Sequence, residues 1–206
     1  MRKIVTTAVI IIVAGGVTLG WWLLQNEQSS GVASPADTVT KVPDPNKHSY
    51  TDVDFARKII VHNQQGIQMA AAASVNAQSE EVRQLATRIG ENLLKDTNQY
   101  IAWLTEWKEV YFNLSDFPEM DGHDMYPTYN GMASISQIST LEAARGSSVD
   151  ELFLRLMIAH HEGAKEFANG IEFRQLQFGQ MIDLKSKRLI QVAEEVQIMK
   201  QLQANG

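Results

Sequence analysis

The residues best suited to chemistry are three histidines that lie in two similar apolar segments. His160 and His161 are adjacent in LMIAHHEGAKEF, residues 156–167, and His62 lies in KIIVHNQQGIQM, residues 58–69. Imidazole nitrogens are common ligands of copper, zinc and iron. The two segments therefore raise the question of a metal site, against the alternative that a helical core only tolerates these histidines.

Methionine sulfur offers a second type of ligand. Thioethers favour soft ions such as Cu(I), and they can share such an ion with imidazole. Met69 lies in the segment of His62, and Met132 precedes the segment of His160. The connection EMDGHDMY, residues 119–126, is either a solvated loop or a weak Cu(I) site. The full set of candidate metal ligands is His160, His161, His62, Met69, Met132, His123 and Met125.

Helix geometry separates the two adjacent histidines. Consecutive residues of an α-helix point about 100° apart, so His160 and His161 cannot both bind one ion comfortably. His160 shares a face with Phe153 and Met157, and we expect it to point inward. We expect His161 on the flank of the helix. An inward histidine can be hydrogen-bonded instead of metal-bound, so both alternatives stay open.

Several classes of function are disfavoured by what the sequence lacks. No Glu-x-x-His or HExxH motif contains the histidines, so a di-iron carboxylate centre and a zinc-protease site are not expected. The chain has no cysteine, which excludes thiolate metal sites, and its formal charge of -6 argues against nucleic-acid binding. Because phosphate-binding and nucleophile motifs are absent as well, we do not expect an enzyme.

The N-terminus predicts attachment to a membrane. Two basic residues precede an uncharged run of 21 residues, 4–24, which ends beside two tryptophans. As a helix this run would span about 30 Å, the thickness of the hydrocarbon core of a bilayer. We predict an uncleaved anchor over residues 1–24, the alternative being a signal peptide. A Pro- and Ser-rich linker, 25–50, would hold the remaining chain on the periplasmic side of a bacterial inner membrane.

From residue 51 onward, apolar residues recur at three- and four-residue intervals, which predicts helices. We predict a helix from Thr51, one capped by Ser79, a short one over 138–144, one capped by Ser148 and stopped by a left-handed Asn169–Gly170, and a last one over 181–202. Four long helices and one long middle connection predict an all-α fold, a four-helix bundle domain over residues 51–206.

An internal repeat divides this domain into two helical hairpins. At an offset of 98 residues the identical pairs include Phe55 and Phe153, Arg57 and Arg155, Ile60 and Ile158, and His62 and His160. Each hairpin therefore carries one copy of the histidine segment.

The motif F-x-x-x-M-I-x-H-H-x-x-A, present as residues 153–164, resembles a ferritin-like family of unknown function that includes CopM-type periplasmic copper-binding proteins. Residues 55–70 resemble its first repeat, and Gly131-Met132 resembles its Gly-Met element. The resemblance covers approximately residues 51–203, and it implies a ferritin-like bundle that binds copper through histidine and methionine.

The sequence departs from this family pattern at positions expected to carry ligands. Asn63 follows His62 where a second histidine is expected, and Phe167 stands where a methionine is expected. Two hypotheses therefore remain: a copper-binding protein, or a non-catalytic accessory subunit of a larger membrane complex with a vestigial metal site. An aromatic group is either a surface for partner subunits, which would suit the second hypothesis, or part of the core; its members are Trp103, Trp107, Tyr111 and Phe112.

Overall fold

The computed structural model describes residues 47–117, 129–171 and 175–205. This part of the chain forms five α-helices and one short 3-10 helix, and it contains no β-strand. The helices are α1 Tyr50–Asn76, α2 Glu80–Glu106, α3 Ile135–Ala143, α4 Ser147–Gly170 and α5 Gly179–Asn205. The all-helical prediction is confirmed.

Part of the sequence prediction lies outside the described residues. The predicted anchor, nearly all of the predicted linker, and the candidate ligands His123 and Met125 belong to this part. Within residues 47–117, 129–171 and 175–205, no helix combines the length and the apolar character that a membrane span requires.

Polar side chains set three of the helix starts. The Ser79 side chain accepts a hydrogen bond from the Val82 amide and caps α2, as predicted. Capping boxes begin α1, where Ser49 pairs with Asp52, and α3, where Ser134 pairs with Gln137. Each box satisfies backbone amides that the first helical turn leaves without partners.

The predicted boundaries of α4 need two corrections. Ser148 does not cap the helix, because the chain enters α4 through Gly146, which has a φ of 67° and donates its amide to the Asn76 carbonyl at 3.1 Å. This tie to the end of α1 fixes the turn in a conformation that suits glycine. The helix does end at Gly170, but without a left-handed residue, since Ile171 follows in an extended conformation.

The long helices pack around two groups of buried side chains. α1 packs along α2, α4 packs along α5, and α1 also packs on α4. The Met69 cluster contains Met69, Leu85, Ile89, Leu93, Phe153 and Met157; the Phe55 cluster contains Phe55, Ile60, Tyr100, Trp103, Leu104, Ala168 and Phe178. Along α1 and α4, the histidines lie between the segments that form these clusters.

Two aspartates hold the hairpins together in the same way. Asp52, in the first turn of α1, accepts the amides of Gln177 and Phe178 at 3.1 and 3.2 Å, just before α5. Asp150, in the first turn of α4, accepts the amides of Gln78 and Ser79 at 2.8 and 3.0 Å, just before α2. Each hairpin thus binds the turn of the other, and the two aspartates are separated by the repeat offset of 98 residues.

Candidate functional site

His62 and His160 meet face to face in the interior. Their ring centroids are 3.8 Å apart with an interplanar angle of 35°, and each residue is 1% exposed. Gly66 makes room for this approach, because a Cβ atom at that position would lie 2.9 Å from Cε1 of His160. The two matching positions of the internal repeat therefore come together as one pair.

Hydrogen bonding fixes the tautomer of one ring and leaves three nitrogens unpaired. Nε2 of His160 lies 3.0 Å from the His62 carbonyl oxygen. Because a carbonyl only accepts, Nε2 carries the proton and Nδ1 keeps a lone pair. Neither Nδ1 of His160 nor either ring nitrogen of His62 makes a hydrogen bond of normal geometry with another described residue. Unpaired buried nitrogens are uncommon in proteins, and they mark this pair as a candidate ligand site.

Burial keeps both rings neutral. Desolvation lowers the pKa of His62 to about 4, an effect that the main chain of Asn130 offsets only in part. Desolvation, reinforced by the neighbouring histidines, also holds the pKa of His160 well below its ordinary value. Near neutral pH both rings therefore retain the lone pairs that a metal ion would need.

His161 has a different environment from the one predicted. It is 1% exposed and points toward α5, where its Nε2 lies 2.8 Å from a carboxylate oxygen of Glu195. The other carboxylate oxygen accepts a hydrogen bond from the Asn92 side chain at 3.3 Å. Burial alone would raise the pKa of Glu195, but the hydrogen bond and charge of His161, with Arg188 and Asn92, lower it. The flank assignment was wrong because α5 covers that side of α4.

The equivalent acid of the first hairpin has another partner. Asp96 of α2 forms an ion pair with Arg188 of α5, whose Nε lies 2.5 Å from the carboxylate. Arg188 also donates from Nη2 to the Asn92 carbonyl at 2.9 Å. Burial raises the pKa of Asp96 despite this ion pair. The sequence analysis overlooked Glu195 as a histidine partner, although α2 and α5 carry the acids Asp96 and Glu195, 99 residues apart, one residue more than the offset of the histidine segments.

The end of the long connection, just before α3, is held by contacts with α1 and α4 beside the histidine pair. The Gln65 side chain donates to the Ala133 carbonyl at 2.8 Å and accepts from the Ala133 amide at 2.7 Å. On α4, Gly163 lets the backbone of Asn130 approach so closely that a Cβ atom there would lie 1.9 Å from the Asn130 oxygen. These contacts hold the chain segment that carries Met132 against α1 and α4.

The remaining candidates do not gather at one point. Met69 is fully buried in the Met69 cluster, among apolar side chains. Phe167, at the position where a methionine was expected, stacks with its ring centroid 5.6 Å from that of Phe55. Within the described ranges, no three His, Asp or Glu side chains are arranged to hold a metal ion.

The donor set fits a soft ion of low coordination number better than a carboxylate-rich centre. Nδ1 of His160 keeps a lone pair, and the His62 ring lies against the His160 ring with the centroids 3.8 Å apart. His161 is hydrogen-bonded to Glu195 and is therefore not counted among the donors to a metal ion. The residues that fit a metal are therefore His62 and His160, with Met132 on the adjoining segment.

Comparison with known proteins settles the family. The profile described as "Domain of unknown function (DUF305)" matches residues 52–203. The chain belongs to the DUF305 family. No match was found among the curated proteins.

Solved structures of other DUF305 proteins share the fold. A DUF305 protein from Streptomyces coelicolor is 26% identical, with a TM-score of 0.60 over 75% of this chain and 92% of that one. A DUF305 fragment from Deinococcus radiodurans is 22% identical, with a TM-score of 0.64 over 77% and 99%. CopM in its Cu(I)-bound form is 23% identical, with a TM-score of 0.58 over 76% and 98%. Copper thus occurs in a structural neighbour of this chain.

Proposed function

We propose that this protein binds copper as Cu(I) through His62 and His160, with the thioether of Met132 as a further donor. The observation that carries the proposal is the pair of buried, neutral imidazoles with three unpaired ring nitrogens. CopM, a neighbour in fold, has been solved with both Cu(I) and Cu(II).

The surroundings favour the reduced ion. Cu(I) accepts imidazole and thioether ligands and few of them, whereas Cu(II) prefers a tetragonal set of nitrogen and oxygen donors. Glu195, the carboxylate beside the histidines, is hydrogen-bonded to His161 and does not add an oxygen donor to the pair of His62 and His160. The proposed role is one of binding and not of catalysis.

A competition titration tests the proposal. The metal-free full chain is titrated with Cu(I) under reducing conditions against a chromophoric chelator. We expect uptake by the native protein, and a loss of affinity of about 100-fold in His62→Asn and His160→Asn, since each removes a ligand. His161→Gln should keep its Cu(I) affinity. A native protein that takes up no Cu(I) would overturn the proposal.

Two methionine variants form a matched pair for the thioether. Met132→Leu should weaken Cu(I) binding, whereas Met69→Leu makes the same chemical change inside the Met69 cluster and should not. The double variant His123→Asn/Met125→Leu measures the separate contribution of the long connection. If it alone abolishes uptake, the copper site lies there and not at the histidine pair.

A second role, as an accessory subunit held at a membrane, rests on exposed apolar residues at one end of the hairpin formed by α1 and α2. Tyr50 is 80% exposed, Val110 66% and Phe112 46%. Such residues suit contact with a partner protein. We propose that residues 1–24 anchor the chain in the inner membrane, with the bundle, a ferritin-like four-helix arrangement, on the periplasmic side. Sizing after mild solubilisation of native membranes tests the association, and migration as a free monomer would refute it.

A further inference from the structure

A small cavity lies between the four long helices, next to the histidine pair. Its volume is about 30 Å³, enough for about two water-sized molecules. Apolar side chains form much of its wall, including Phe55, Leu93 and Val192. The site is therefore small and mostly apolar.

The charged residues of the wall all have the same sign. Of the described residues, Lys165, Lys185 and Arg188 line the cavity, and no described carboxylate does. Of the two nearby acids, Asp96 pairs with Arg188 and Glu195 with His161. Lys165 is exposed, whereas Lys185 is buried and has no carboxylate partner among the described residues. A charged side chain in an apolar surrounding requires compensation, so an anion would be favourable beside Lys185.

Arg188 has a donor that the protein does not use. Its Nε and Nη2 are hydrogen-bonded, but Nη1 is buried and has no acceptor among the described residues. Lys185, which is 8% exposed, gives its ammonium group to the Ile171 carbonyl at 3.0 Å. A buried guanidinium N–H without an acceptor is costly, and an anion would supply that acceptor.

We propose that this cavity binds a small monovalent anion of the size of chloride, held by Arg188 and Lys185. The small volume favours an anion of this size over sulfate and larger anions, and a single charge limits the cost of desolvation. The two residues that hold the anion belong to α5 and are not donors to the metal, although His62 and His160 also line the cavity. It assigns a ligand to the only buried guanidinium nitrogen without an acceptor in the described residues.

Chloride binding to the metal-free full chain tests this assignment. Line broadening of the ³⁵Cl resonance should saturate with the native protein in a sulfate buffer. Arg188→Lys keeps a positive charge for Asp96 but removes the guanidinium fork, and it should weaken chloride binding about tenfold or more. Arg57→Lys is the matched control, because Arg57 pairs with Glu109 away from the cavity and should leave binding unchanged.

Two further measurements decide the outcome if Arg188→Lys fails to fold by circular dichroism. Lys185→Met keeps the Arg188–Asp96 pair and should weaken chloride binding several-fold. Crystals soaked in bromide should show an anomalous peak in the cavity. Broadening that does not saturate, equal chloride affinity in the folded Arg188 variant, or bromide confined to the outer surface would each overturn the proposal.

Discussion

The two hairpins share a framework and differ in what they bury on it. Asp52 and Asp150 each accept hydrogen bonds from the turn of the opposite hairpin, contacts referred to below as the two clasps. His62 and His160 contact each other through their rings. These positions therefore keep one role in both copies. One residue further along α1 and α4 the copies diverge: Asn63 stands in the first and His161 in the second.

The acids of α2 and α5 follow this divergence. In the second hairpin Glu195 pairs with His161, while in the first Asp96 pairs with Arg188 from the other hairpin. Position 63 offers Asp96 no histidine, and Arg188 of α5 supplies its cation instead. Both buried acids are therefore matched by a nearby donor, although different helices provide it.

The largest expected effect of a substitution is at Gly163, a position where the copies differ, since Gln65 stands at the matching position of the first hairpin. Gly163→Ala should cost about 4 kcal/mol of unfolding free energy or prevent folding, because the new Cβ atom would collide with the Asn130 backbone. Urea denaturation measures the loss. Gly66→Ala is the control: its clashes are with side-chain atoms of Leu93 and His160, which can move, so its cost should be smaller. Equal costs would show that the backbone of Asn130 can move away from the new Cβ atom with little loss of stability.

Replacing His161 by asparagine, the residue at the matching position of the first hairpin, tests the His161–Glu195 pair. His161→Asn should cost about 3 kcal/mol, because it leaves Glu195 buried without its partner. Adding Glu195→Gln should recover part of this loss by removing the charge. Glu162→Gln, which breaks an exposed pair with Lys200, should change the unfolding free energy little. A double variant less stable than His161→Asn would contradict this interpretation.

The shared histidine pair should give the protein a distinctive pH dependence. The folded pKa of His62 is about 4, below the ordinary 6.5, so between these values the unfolded chain binds more protons than the folded one. Stability must then fall as pH falls through this window, by about 2 kcal/mol from pH 7 to pH 5 for His62 alone.

Urea denaturation at several pH values checks this dependence in the metal-free protein. The decline should be shallower in His62→Asn than in the native protein. His48→Asn is a suitable control, because His48 is exposed and stacks on Trp107 away from the pair. An unchanged slope in His62→Asn would show that the buried ring is not the group that titrates.

The smallest expected effect concerns the two clasps. Asp52 is fully buried and accepts from Ser49 as well as from the turn, whereas Asp150 is half-buried. Asp52→Asn should therefore cost about 1 kcal/mol more than Asp150→Asn in urea denaturation, since each buried acceptor lost leaves an unpaired amide. Asp54→Asn, in an exposed pair with Lys58, serves as the baseline. Equal effects would indicate that burial does not distinguish the clasps.

Local patterns predicted the helices and the inward direction of His160 well. The cap of α2 at Ser79 and the inward direction of His160 follow from spacing along one helix, and both are confirmed. The offset of 98 residues also contained the match of Asp52 with Asp150, which the sequence analysis did not use.

What could not be predicted depends on contacts between helices. The burial of His161 requires knowing that α5 covers its side of α4, and no spacing within α4 contains that information. The turn at Gly146 is likewise set by a bond to Asn76, 70 residues earlier. Met69 was a reasonable ligand by its distance along α1, but it is packed among apolar side chains of other helices.

The reciprocal hydrogen bonds of Asp52 and Asp150 have a consequence for the origin of the chain. A hairpin on its own would hold an aspartate without amides and a turn whose amides lack an acceptor. A second copy of the same hairpin offers both, in a symmetric exchange in which neither copy is complete alone. Joining two such copies by the long connection would turn an association that depends on concentration into a single folding unit. After that step, each half was free to change its buried residues separately, as Asn63 and His161 have done.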